Sequence, residues 1–113
     1  MRKPDEKAKG AALLARQRRL VCLHTATAIE ADPARALVLG LNNVERIASS
    51  FAPAWKSLLL RGAVSEICAL LRDASEGTEQ MRISQPFSGL LAFEELREIS
   101  RRLDDDTKAS PPS

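Results

Sequence analysis

Apolar residues recur three and four positions apart along most of this chain, a spacing that predicts helices rather than strands. In the first predicted helix, over Lys7–Ala31, Leu13, Gln17, Leu20, His24 and Thr27 share one face, and Ala15, Cys22, Ala26 and Ile29 the opposite one. A helix apolar on both sides over Leu20–Ile29 needs cover on more than one side, from its own domain or from a second subunit. Asp32-Pro33 ends this helix, because the residue before a proline is pushed out of the α region. The same dipeptide starts the next, with Asp32 as N-cap and Pro33 at the first helical position, where a missing amide donor costs nothing.

The second helix is predicted to run to about Phe51, with Leu37, Leu41, Val44, Ala48 and Phe51 inward and Arg35, Asn42, Asn43, Glu45, Arg46 and Ser49 outward. Gly40 interrupts its interior, which implies a close helix crossing or simple tolerance. Pro53 opens a third helix, to about Asp73, whose wide apolar sector of Leu59, Leu60, Ala63, Val64, Ile67, Leu70 and Leu71 makes it the expected core element, with Trp55 at the sector's edge. Ala74–Gln85 is polar and aperiodic and reads as a loop. A fourth helix follows over about Pro86–Leu103, with Ala92, Leu96, Ile99 and Leu103 inward, Phe93 at the margin, and Phe87, Leu90 and Leu91 pointing elsewhere. Asp104-Asp105-Asp106 carries the wrong charge for a helix C-terminus, so the helix is expected to end before it.

The fold expected from these elements is all-α: a four-helix bundle or a compact orthogonal helical domain with a basic N-terminal extension. One domain over 7–103 is expected, with 1–6 and 104–113 as flexible tails. The chain has 113 residues, 44% of them apolar, which suffices for one core but not a generous one, so self-association is a natural source of further burial.

Charge divides the chain unevenly. Met1–Arg19 holds seven basic residues (Arg2, Lys3, Lys7, Lys9, Arg16, Arg18, Arg19) against Asp5 and Glu6, a net charge of +5, and the remainder is net −3. That imbalance points to an acidic partner, whether a protein, duplex DNA or the acidic half of a second copy. The aromatics Phe51, Trp55, Phe87 and Phe93 are too few for the stacking platforms that single-strand binders use. Cys22 and Cys68 sit in apolar helical stretches and read as reduced thiols, which makes the cytoplasm the expected compartment. Strongly apolar runs such as Leu58–Leu60 are far too short to span a bilayer, and no membrane role is expected.

Catalytic chemistry has little to stand on. His24 is the single histidine, so a metal site would lack ligands and a serine nucleophile would have one imidazole to call on. Cys68 with His24 is a conceivable pair in space, but the neighbours Val64, Ile67 and Leu71 mark Cys68 as core. Glu94, Glu95 and Glu98 have the spacing of helical carboxylate sites, yet no Glu-x-x-His partner exists, and Arg97, Arg101 and Arg102 beside them suit an ordinary solvated face. No cofactor is implied.

Leu39-Gly40-Leu41-Asn42-Asn43-Val44-Glu45-Arg46-Ile47 resembles the turn and recognition-helix start of the helix-turn-helix of bacterial repressors, where glycine makes the turn. The resemblance implies a DNA-reading helix; one unbroken helix satisfies the apolar pattern equally well. The favoured reading is a non-catalytic helical interaction or assembly module, expected to be homodimeric, with Leu20, Leu23, Ile29, Trp55, Phe87 and Leu91 as interface residues. The alternative is a small DNA-binding regulator contacting the duplex through Lys9, Arg16, Arg18, Arg19, Asn42, Asn43 and Arg46.

Overall fold

In the computed structural model, which describes the backbone of residues 4–109 and the side chains of residues 12–103, helix α1 spans Pro4–Ala31 and stops at Asp32. The Asp32 carboxylate accepts a hydrogen bond from the Arg35 amide at 3.2 Å, and Pro33 opens α2, Pro33–Val44. This is the corner that Asp32-Pro33 predicts. The chain continues through α3 (Ala52–Leu60), α4 (Val64–Arg72), a 3₁₀ turn (Glu76–Thr78), α5 (Glu79–Ile83) and α6 (Phe93–Ala109). The class is all-α, with no strand among the described residues. The flexible ends expected at 1–3 and 110–113 lie outside the described residues, whereas 4–6 and 104–109 belong to α1 and α6.

Both faces of α1 are covered from within the chain. Cys22, Ala26 and Ile29 join the main core with Ile67, Cys68 and Leu71 of α4, where the Cys68 thiol donates to the Ala26 carbonyl at 3.5 Å. On the other side Leu20, Val21 and Ala28 pack against a smaller cluster of Leu91, Ile99 and Leu103, which seats α6. The two-sided pattern of Leu20–Ile29 is therefore satisfied without a second subunit. At about 1.5 Å per residue α1 is about 42 Å long, and it dominates the 50 Å long axis of a molecule 28 Å and 22 Å across. Its packed portion starts near Arg19, and residues 12–18 are all exposed.

Several boundaries differ from the sequence expectation, the first being the start of α1 at Pro4 rather than Lys7. Helix α2 ends at Val44, not Phe51, because Asn43 turns its side chain to Pro86 and Ser88 while the Arg46 amide bonds back to the Asn43 carbonyl at 2.9 Å. The long third helix is two, α3 and α4, broken at Arg61-Gly62-Ala63. There Gly62 has φ +62° and its amide donates to Leu59 O, while the Ala63 amide donates to Leu58 O, both at 3.1 Å. That paired bonding is a Schellman terminus, and its left-handed residue favours glycine.

The fourth helix starts at Phe93 rather than Pro86, because 84–92 is a turn with Gly89 at φ +92°. This turn drives Phe87, Leu90 and Leu91 into the body, where all three are buried. Helix α6 also continues through Asp104–Asp106, since an unfavourable end charge is worth only about 0.3–1 kcal/mol. Within the expected loop 74–85 the short α5 is fastened to the core by Trp55, whose indole N–H donates to the Met81 carbonyl at 2.9 Å. Trp55 is fully buried, edge-on to Phe87 with ring centroids 5.9 Å apart.

Candidate interaction surface

Four of the six interface residues expected from the sequence lie inside the chain's own core. Ile29 and Trp55 are fully enclosed, and Phe87 and Leu91 nearly so. Their apolar surplus is used by the turn at 84–92 and by the crossing of α1 with α4, neither of which a single-helix wheel reveals. Leu20 and Leu23 are half-buried, Leu20 against the α6 cluster.

The candidate nucleic-acid contacts are divided in the same way. Arg19 Nη1 donates to the Arg72 carbonyl at 2.6 Å, which satisfies an orphan acceptor at the end of α4. Arg72 in turn grips the Glu30 carboxylate, one arm of the pair measuring 3.1 Å. Asn43 Nδ2 donates to Pro86 O at 3.0 Å and Ser88 O at 2.9 Å, so its amide holds the 84–92 turn. Arg16, Arg18, Asn42 and Arg46 are exposed, and Arg18 Nε donates to Leu14 O at 3.5 Å. Lys9 lies on the α1 backbone, and its side chain is outside the described residues. The helix-turn-helix resemblance is not borne out locally: Leu39–Val44 lies within α2, and Gly40 makes no turn. Gly40 is buried at a crossing so tight that a Cβ there would fall 2.6 Å from Leu59 Cδ2 and 3.1 Å from Phe87.

What the fold leaves outward is an apolar flank on α6. At 100° per residue, Leu96, Ser100, Phe93 and Arg97 sit successively farther round the helix from Ile99, which is buried against α1. Phe93 is 70% exposed and Leu96 is 40% exposed, although the sequence pattern places Leu96 inward. The Arg97 guanidinium lies 5.8 Å from the Phe93 ring centroid. On the far edge Glu98 accepts from Arg101 at 2.7 and 3.1 Å and from Arg102 at 3.4 Å, and the Arg101 bond is the main cause holding its carboxyl below the ordinary glutamate range. The offset of Phe93 and Leu96 from the Ile99–Leu103 line is the signal in the sequence that could have identified this flank.

The reactive side chains are kept apart by α1 itself. His24 faces α6, its Nδ1 2.8 Å from Glu95 Oε2, while Cys68 and Cys22 face the main core. Burial pushes both thiols above their ordinary pKa, which lowers the thiolate fraction that any reaction would need. Among the described residues no three His, Cys, Asp or Glu side chains gather closely enough to hold a metal ion, and no helix is long and apolar enough to cross a membrane. No family model matches the sequence, and no curated protein or solved structure is similar enough to it to count as a match.

Proposed function

We propose that the protein is a non-catalytic helical interaction module of the reducing cytoplasm that assembles with a second copy of itself. The observation carrying this reading is the α6 flank, where Phe93 and Leu96 stand exposed one turn apart with Arg97, Glu94 and Ser100 around them. An apolar pair with a polar rim is the composition expected of a protein-binding patch; other exposed apolar side chains are Leu13 and Leu14 on α1, Val38 on α2, Phe51 before α3, Leu60 on α3 and Ile83 on α5. Sedimentation equilibrium across about 1–200 μM tests the reading, with a reversible dimer expected in a range ordinary for small interfaces. A monomer throughout would reject it.

Duplex DNA is the second reading, supported by the exposure of Arg16 and Arg18 on the N-terminal half of α1. Arg19 and Asn43, both engaged with backbone carbonyls, contribute less to it than the sequence suggests. Fluorescence anisotropy with mixed-sequence duplex at two salt concentrations separates the two. Phosphate contacts would make binding fall steeply with salt, and the absence of binding at low salt would remove DNA as a partner.

A further inference from the structure

We infer that self-association, on whose proposal this inference rests, pairs α6 antiparallel with α6 of the second copy about a two-fold axis lying between Leu96 and Arg97. The flank has an order along its length. Phe93 stands at the N-terminal end, Leu96 and Arg97 in the middle, and the small Ser100 one turn farther on. Reversing one copy against the other about the 96/97 midpoint sets each Phe93 over the partner copy's Ser100, a large residue over a small one, as helix packing requires.

Charge selects the same direction. Glu94 lies at the start of the outer edge of this flank and Arg101 two turns later on that edge. Antiparallel pairing sets this edge against the same edge of the second copy and brings each Glu94 towards Arg101 there, while parallel pairing sets it against the opposite edge and leaves the two apart. Among the described residues Glu94 has no hydrogen-bond or ion-pair partner within its own chain. Arg101 already bonds Glu98, but Arg101 is exposed and Glu98 half-exposed, and a solvent-facing pair of this kind is weak enough to share its guanidinium. Arg97 falls beside the axis, near its own copy, and its position over Phe93 draws the charge towards the ring instead. With the axis between Leu96 and Arg97 the two helices overlap over residues 93–100, about 12 Å, a small contact consistent with a weak, reversible dimer.

The test measures the dimer constant of the full chain by sedimentation equilibrium for wild type, Phe93→Glu, Glu94→Arg and Glu94→Arg/Arg101→Glu, with circular dichroism melts alongside. Phe93 and Glu94 are exposed, so the melts should hardly move. Phe93→Glu is expected to weaken the dimer at least tenfold. Glu94→Arg should weaken it about three- to tenfold, since two symmetry-related exposed pairs are lost, and the double reversal should restore it. A parallel pair, in which Glu94 does not reach Arg101 of the second copy, would be moved little by either charge variant. Oxidised Arg97→Cys should run as a covalent dimer while Leu60→Cys stays monomeric, the native Cys22 and Cys68 being buried. A wild-type dimer indifferent to Phe93→Glu, or one not weakened by Glu94→Arg, overturns this pairing and leaves self-association standing. A wild-type monomer overturns both.

Discussion

His24 and Glu95 meet at 2.8 Å across the seam between α1 and α6, beside the small cluster of Leu91, Ile99 and Leu103. Among the described residues helix α6 thus rests on few buried side chains and a polar bridge, whereas α4 shares the main core. Elements held this way open at lower free energy than the rest of a fold. Both groups of the bridge are partly exposed, at 26% and 38%, so Glu95→Ala is expected to cost only about 0.5–1 kcal/mol. Its effect should be local. Amide hydrogen exchange should speed up in α6 while α4 keeps its protection, and equal acceleration in both would contradict the two-core arrangement.

Gly40 lets α2 approach Leu59 and Phe87 more closely than any side chain would allow. Gly40→Ala must push back the Leu59 and Phe87 side chains or shift the helix, at about 1–3 kcal/mol, despite alanine's better helix propensity. Gly77 supplies the contrast: a Cβ there meets nothing within 4 Å, and its φ is not positive. Gly77→Ala should be neutral or raise stability by up to about 1 kcal/mol. Urea unfolding of the two variants checks the difference, and equal effects would remove the crossing as its cause.

The single tryptophan reports on the core directly. Buried Trp55 should emit at short wavelength in the native state and shift to the red on unfolding. Trp55→Phe keeps most of the apolar volume but removes the indole donor and leaves the Met81 carbonyl with the Ser84 hydroxyl alone, at 3.1 Å, so a loss of about 1–2 kcal/mol is expected, together with faster amide exchange in α5. Unchanged exchange there would show that the indole bond does not fasten the helix.

Asp73 closes the corner after α4 by accepting from the Ser75 amide at 2.9 Å and from the Ser75 and Thr78 hydroxyls, each at 3.0 Å. These bonds, the amide's first, hold its carboxyl below the ordinary aspartate range. A depressed native pKa adds stability that is fully present above the unfolded value of about 3.9 and fades as pH falls through the native one. Asp73→Asn should therefore melt lower than wild type near pH 7, and the gap should narrow once the solution is acid enough to protonate Asp73 itself. A gap that stays constant into strong acid would rule out the carboxylate as its source.

The elements most legible in the sequence are those where one residue type has one physical role. Asp32-Pro33 announces a cap and a corner, and the twin apolar faces of Leu20–Ile29 announce a covered helix. The break at Gly62 is hidden because Leu59, Leu60, Ala63, Val64 and Ile67 keep helical spacing across it, although Arg61-Gly62 is itself a stop signal of the kind the Schellman motif uses. The interface residues inferred from leftover apolar positions could not be read correctly without the turn at 84–92. Phe87 and Leu91 look surplus on a helical wheel and become core only when that segment is not a helix. Phe93 and Leu96 look marginal and inward on the same wheel, and they stay exposed because the seam with α1 is narrow and takes only Ile99 and Leu103 of α6 into its cluster.

Because α1 carries a core on each side, its residues between Leu20 and Ile29 have no neutral direction in which to move. Inserting or deleting one residue there rotates everything on one side of the change by about 100°, and would misalign the α4 contacts and the α6 contacts together. The same lesion in α6 disturbs one seam only. Sequence drift in this protein is therefore constrained by register along the middle of α1 and by composition alone along the outer side of α6, so a new partner specificity can evolve on α6 without reworking the core.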